Sequence, residues 1–319
     1  MLSTHDQHEH VPLPGGAVMS ILRGATQAGP TLAILGGVHG DEEEGVLAVR
    51  QLLTRLADID FVGVVKAVAP ANAIAWSACS RRNPLDGGDL ARSFPGHGSS
   101  GPTAAIATAI TEKVIKGADL LIDLHSAGLR YCMPLFCGYI DTPDAAKACH
   151  RAAIAFGTPL VWKHDKTPEG RSITIAASSG IPAIYAECGG GGAIKRDHLD
   201  AYVTGVLSVM ADLEMLPSSY RYSNSTTPQY VISGQGDLDQ ATKATHSGFF
   251  VASTEAGSFV KHGDKIGQIF DYNGDLVEEF YAPTDEVIMF LRRQARIQAG
   301  ETVYSSGLAT SRGNDTDPI

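Results

Sequence analysis

The 319-residue sequence contains no run of about 18 apolar residues, and its opening segment, MLSTHDQHEHVPLP, lacks a basic stretch followed by an apolar core. A membrane span and a secretory signal are therefore both unexpected, which makes a cytoplasmic location the default. No basic block occurs either. Against 35 Asp and Glu stand 25 Lys and Arg, a net charge of -10, so a phosphate backbone would be repelled and nucleic acid is not an expected partner. Five cysteines, Cys79, Cys132, Cys137, Cys149 and Cys188, include no CxxC pair. An odd, scattered set excludes a disulfide framework and a structural zinc knot, and leaves mostly buried thiols as the expectation. Internal repeats and low-complexity tracts are absent as well.

What is present is the composition of an ordinary globular protein, 44% hydrophobic and 19% charged, in a chain long enough for more than one domain. From Thr31 to about Leu216, short apolar runs alternate with helical stretches. The strand candidates are TLAILGG, FVGVVKAVAP, ADLLIDLH and IPAIYAEC; the helical ones are GVLAVRQLLTRLA, TAAIATAITEKVIK, DAAKACHRAAIAFG and HLDAYVTGVLSVMADLEML. That alternation predicts an α/β fold, a mainly parallel sheet covered by helices, over residues 1–217. The polar stretch SSYRYSNSTTPQ then reads as a linker. Beyond it, GFFVAS, SFV, KIGQIFD, LVEEFYA and EVIMFL are short β-like runs between Gly-Asp, Asn-Gly and Pro-Thr-Asp turns, so 218–319 is expected to be linker plus a small all-β domain. The last stretch, SSGLATSRGNDTDPI, reads as a frayed tail.

Three predicted strands end in polar residues: His39 and Glu42 after the first, His125 after IDL, and Glu187 after IPAIYA. Ligands of open α/β sheets bind beyond the carboxyl ends of the strands, so these four groups can share one crevice. His39 and Glu42, three residues apart at a strand-to-helix turn, can face one metal ion, with His125 as a third ligand. Two imidazoles and a carboxylate leave a zinc position open for water. Asp123 is placed to support His125 from behind. The alternative for the acidic run Glu42 to Glu44 is plain helix-dipole stabilisation. The loop SACSRRNPLDGGDLARSFPG adds Arg81, Arg82 and Arg92 in an acidic protein. Arginine suits bidentate capture of a carboxylate and stabilisation of a developing oxyanion. The competing role, pairing with Asp86 or Asp89 to fix the loop, is expected for Arg82. Arg171 is a looser candidate for substrate contact. Tyr131 and Met133 are candidates for pocket lining or for packing, whereas His97, His164 and His246 are expected to be polar surface or loop residues.

GGVHGDEEEG, SRRNPLDGGDLARSFPG, DLHSAG and GIPAIYAECGGGG, in that order, resemble the succinylglutamate desuccinylase/aspartoacylase family of zinc-dependent deacylases, relatives of the zinc carboxypeptidases. The β-rich tail resembles that family's C-terminal domain. The resemblance implies one Zn2+ per chain on His39, Glu42 and His125. It implies Glu187 as general base and acid, Arg81 as the group that polarises the scissile carbonyl, and Arg92 as the receiver of a substrate carboxylate. Many members carry Asn-Arg within DLNRxFPG; here Ala91 precedes Arg92, so an amide that would help hold the substrate is missing. The expected reaction is hydrolysis of an N-acyl amino acid or similar small amide, with wording closest to the deacetylases of N-acetyl-diaminobutyrate. A homodimer is expected from the resemblance and from the commonness of two-fold symmetry.

Two other functions compete. A small-substrate metallocarboxypeptidase would use the same residues. A carrier module is suggested by EAGSFVKHGDKIGQIFDYNGDLVEEFYAPTDEVIM, which is similar to half of a biotinyl or lipoyl domain, yet PTDEVIM offers no lysine for modification.

Overall fold

Residues 8–143, 145–166, 168–222, 230–233 and 241–311 are described by the computed structural model. Up to Glu187 the strands are His8–Pro12 (β1), Val18–Arg23 (β2), Thr26–Gly36 (β3), Val62–Val68 (β4), Leu120–Leu124 (β5), Tyr131–Cys132 (β6), Phe136–Ile140 (β7), Leu160–His164 (β8) and Ala183–Glu187 (β9). The helices are Glu43–Leu56 (α1), Ala73–Ser77 (α2), Pro102–Ile110 (α3), Ala146–Phe156 (α4), Ser172–Ser178 (α5) and Arg196–Asp212 (α6).

The strand β3 shows why the sheet is covered on both sides. Leu32, Ala33, Ile34 and Leu35 are all fully buried. Successive side chains alternate between faces, and Leu32 and Ile34 join one core with α1, α4 and α6 while Ala33 and Leu35 join another with α3, α5 and the β1–β2 hairpin. Each such buried Leu or Ile contributes about 1.5–3 kcal/mol. In α1, Val46, Val49, Leu53 and Leu56 recur at helical spacing on the buried side, Glu43 and Glu44 lie in the first turn and Arg55 in the last, the arrangement a helix dipole favours.

Four neighbouring strands, β4, β3, β5 and β9, run parallel. Gly36 of β3 pairs with Leu124 of β5, and Leu124 with Ala186 of β9. Their carboxyl ends are therefore level, so residues just past each end meet. Gly45 keeps α1 close: a Cβ there would stand 2.4 Å from the Leu124 carbonyl oxygen. Beyond β9 the sheet continues through β7, which is antiparallel to it and sets Phe136 opposite Glu187, and then through β8. The hairpin β1–β2, the strands β7 and β8, and α5 are additions to the elements read from sequence.

The C-terminal strands are Tyr230–Ser233 (β10), Thr242–Lys243 (β11), Gly248–Ala252 (β12), Phe259–Val260 (β13), Lys265–Phe270 (β14), Leu276–Tyr281 (β15), Glu286–Arg292 (β16), Arg296–Ile297 (β17) and Thr302–Ser311 (β18). A four-stranded antiparallel sheet, β15-β14-β12-β17, encloses a small core with Phe250, Ile266, Ile269, Ile288 and Val303. The large sheet does not stop at the expected linker. β8 pairs with β10, β10 with β18 and β18 with β16, while β16 also pairs with β6. The expected frayed tail is corrected by the same ladder: up to Ser311 it is strand, because β16 pairs with Tyr304 to Gly307 and β10 with Leu308 to Ser311. Residues 312–319 and linker residues 223–229 lie outside the described residues, and Ser218–Tyr220 form a single 3-10 turn. Cys137, Cys149 and Cys188 are buried free thiols, Cys132 is half-buried and Cys79 is exposed. No helix among the described residues is long and apolar enough to cross a membrane.

Candidate active site

His39 follows β3, Glu42 immediately precedes α1, and His125 follows β5. Glu42 occupies the capping position of α1 without capping it; its carboxylate turns instead between two imidazoles. Oε1 stands 2.6 Å from His39 Nδ1 and Oε2 stands 2.9 Å from His125 Nδ1, with the Ser126 N–H donating to Oε2 at 3.2 Å. One ligand atom from each of His39, Glu42 and His125 lies within 4.8 Å of the others, and all three residues are buried. This is the group among the described residues that suits a metal ion. The helix-dipole alternative falls to Glu43 and Glu44, not to Glu42.

Both imidazoles are held from behind. His39 Nε2 is 3.2 Å from Asp89 Oδ1 and His125 Nε2 is 3.1 Å from Asp123 Oδ2, and Asp123 accepts a short hydrogen bond from the Ser172 hydroxyl. A carboxylate behind each ring sets its orientation and raises its basicity toward a cation. Burial alone would favour neutral groups, yet the two histidines hold Glu42 well below the usual carboxylate range. Burial likewise pulls His125 down, but Asp123 and Glu42 raise it well above an ordinary imidazole. The cluster thus stabilises positive charge at its centre, whether protons or a divalent ion supply it.

Glu187 closes the crevice from β9. It is half-buried, with Oε2 sealed and unpartnered among the described residues. Burial pushes its carboxyl up to about 8, against the opposing pull of His125. A carboxyl so placed gains and loses a proton near neutral pH, as a general base and acid must.

The arginine loop lies over this cluster. Arg81 Nη1 is 3.3 Å from His39 Nδ1 and 3.5 Å from Glu42 Oε1, and its Nε is 3.5 Å from Asp89 Oδ2. Arg92 is exposed and donates to the Ala91 carbonyl at 3.2 Å; Arg171, just before α5, donates to the Pro168 carbonyl at 3.1 Å. Both line a cavity of about 950 Å3 together with His39, Glu42, Arg81, His125 and Glu187. All seven sequence-derived candidates therefore border one space.

Several expectations need correction. Arg82 does not pair with Asp86 or Asp89. It reaches the Gly87 carbonyl at 3.5 Å, because Asp86 is taken by the Thr103 N–H and hydroxyl and Asp89 by His39 and Arg81. Asp89, read only as a loop anchor, is thus part of the site. His164 is not a surface residue: it is 1% exposed and lines the cavity. The signal was available, since it too ends an apolar run, LVWKH. Phe290 and Thr302 reach the cavity from the C-terminal strands, and no local sequence signal marks them. Tyr131 and Met133 line it, whereas His97 and His246 are exposed and pair with Glu112 and Glu278.

Comparison with known proteins gives this geometry its context. Residues 28–213, more than half of the chain, match the Succinylglutamate desuccinylase/Aspartoacylase catalytic domain. The chain is 28% identical over 280 residues, covering 86% of it and 81% of the relative, to N-alpha-acetyl-L-2,4-diaminobutyric acid deacetylase of Halomonas elongata. Among solved structures, the product-bound ectoine utilization protein EutE (DoeB) of Ruegeria pomeroyi superposes with a TM-score of 0.84 at 25% identity, covering 94% of each chain. A succinylglutamate desuccinylase/aspartoacylase of Rhodobacter sphaeroides has the same fold, with a TM-score of 0.83 at 22% identity over 96% of this chain and 94% of that one. The chain belongs to the succinylglutamate desuccinylase/aspartoacylase family, and with it to the hydrolases that act on amide bonds.

Proposed function

We propose that the protein is a zinc-dependent deacylase of a small N-acyl amino acid or similar amide, with Zn2+ held by His39, Glu42 and His125. The observation that carries the reading is the meeting of these three groups and Glu187 at level strand ends. Two imidazole nitrogens and one carboxylate are the donor set of catalytic zinc. The aspartates behind both rings and the sealed, unpartnered Glu187 Oε2 fit a cation at the cluster. When bound, zinc supplies Lewis-acid polarisation and acidifies water.

The chain's own residues do the rest. Glu187 takes a proton from the attacking water as its oxygen joins the acyl carbon. It returns that proton to the nitrogen as the C–N bond breaks, leaving a carboxylate and a free amine. Arg81 faces the oxygen on which negative charge grows, while Arg92 and Arg171 orient substrate carboxylate groups. Phe290 and Thr302 wall one side of the cavity, which favours a small substrate over a polypeptide.

The test is elemental analysis of wild type beside His125→Ala, coupled to amine release from N-acetyl and N-succinyl amino acids. About one zinc per chain, lost in the variant together with amine release, is the expected result. Amine release indifferent to both zinc and the substitution refutes the reading.

A further inference from the structure

The cluster of His39, Glu42 and His125 is held from one further direction, the helix layer beneath it. Tyr202 of α6 is fully buried, in the core that α6 shares with α1 and α4. Phe156 of α4 meets its ring edge-on at 6.1 Å. Gly205, where a Cβ would stand 2.8 Å from the Phe156 ring, lets the two helices close around that contact. A ring so packed keeps one orientation. Its hydroxyl points at the end of β5 and donates to the His125 carbonyl at 2.6 Å. The Cys188 thiol, next in sequence to Glu187, lies against the same phenol.

The His125 carbonyl and the Ser126 N–H belong to one peptide group. In a trans peptide they point opposite ways, and here the N–H donates to Glu42 Oε2 at 3.2 Å. The planar unit is therefore held at both ends, by Tyr202 on the helix side and by Glu42 on the cavity side. The backbone on either side of it is tied to β9 and its continuation: the His125 N–H donates to the Ala186 carbonyl at 2.9 Å and the Ala127 N–H to the Cys188 carbonyl at 3.1 Å. Between those two fixed points, rotation of the one peptide plane would swing the His125 imidazole and release the Glu42 carboxylate together. Asp123 restrains the ring of His125 but not this plane. A donor on the carbonyl also polarises the peptide, which strengthens its N–H toward Glu42.

We propose that Tyr202 is a positioning residue for the cluster: through the His125–Ser126 peptide it sets the His125 imidazole and the Glu42 carboxylate at the same time. The zinc that this arrangement would serve rests on the deacylase reading above; the hold on the peptide does not.

Two variants and two measurements test it. Tyr202→Phe removes one oxygen and leaves the ring packed. Val206→Ala, one turn further along the buried side of α6, loosens that side without touching the hydroxyl, and urea midpoints report the stability lost in each. Chelator competition on zinc-loaded protein should show metal held about tenfold more weakly in Tyr202→Phe, but within about twofold of wild type in Val206→Ala. Equal affinities in wild type and Tyr202→Phe, or an equal weakening in both variants, overturns the proposal. In metal-free protein the Ser126 amide proton resonance should move upfield in Tyr202→Phe, as its bond to Glu42 lengthens, and stay in place in Val206→Ala. If wild type binds no zinc, the zinc assignment falls and this resonance alone decides. A shift confined to Tyr202→Phe then supports the hold on the peptide, and an unmoved resonance overturns it.

Discussion

Two buried histidines stand at the ends of β5 and β8, strands of the same sheet with β9 and β7 between them, and have opposite chemistry. His125 is 8% exposed and His164 is 1% exposed. His125 has carboxylates on both ring nitrogens, Glu42 on one and Asp123 on the other, and its affinity for a proton is raised. His164 has a phenol on one nitrogen and a guanidinium nearby, and its affinity is lowered. Burial acts in the same direction on both rings. What differs is the sign of the neighbouring charge, and it makes one imidazole part of a cluster that suits a cation and leaves the other neutral.

That contrast can be broken at its strongest point first. Glu187→Gln should retain metal by elemental analysis and lower turnover of an N-acyl amino acid about 10²–10⁴-fold, because the proton carrier is lost while the cluster stays intact. A variant that loses metal instead would make Glu187 part of the cation site. Arg81→Ala should lower kcat about 10²–10³-fold with a smaller change in KM, if its guanidinium acts on charge that develops during the reaction. The support behind His39 is examined by Asp89→Asn. Chelator competition should show metal held about 10–100-fold more weakly, whereas no change would leave Asp89 a loop anchor only.

The smallest effect concerns pH. His164 titrates near 6.5 in an unfolded chain and near 3 when folded, so between those values the unfolded chain binds the extra proton and stability falls as pH falls, by up to about 1.4 kcal/mol per pH unit. His125 has the opposite slope in metal-free protein: its raised affinity adds stability below its unfolded value, and that contribution fades as pH rises through the folded one. Urea midpoints of metal-free protein from about pH 6.5 downward should therefore flatten in His164→Leu relative to wild type. Parallel curves for the two proteins would remove His164 as a buried neutral group.

The candidate site was legible because its members sit at strand ends, where the period of the sequence changes from β to helical. His39, Glu42, His125 and Glu187 each follow an apolar run, and the parallel order of β3, β5 and β9 carries them to one crevice. His164 obeys the same rule, but β8 is five residues long and has no motif after it, so nothing in its sequence separates it from a surface histidine. Asp89 was hidden for another reason: its role depends on how an irregular loop folds back over His39, which periodicity does not encode. Phe290 and Thr302 are more than a hundred residues beyond Glu187 and reach the cavity through strand pairing, a property of the whole sheet. That β10, just past the expected linker, pairs with β8 was not legible, because Val231 and Ile232 have the apolar character of a strand but only four residues to express it.

The ladder from β8 through β10 to β18 makes the two parts of the chain poor candidates for separate expression. A protein ending after Leu216 would present β8 as a bare sheet edge, with unpaired backbone groups along Val161 and Trp162. It would also uncover the patch that Phe136, Leu160 and Trp162 share with Ile232, Val287 and Phe290. An open edge beside an apolar face is a template for self-association. Such a fragment should collect in aggregates rather than act as a more accessible enzyme, so widening the substrate range calls for substitutions in the cavity wall, not for removal of the C-terminal strands.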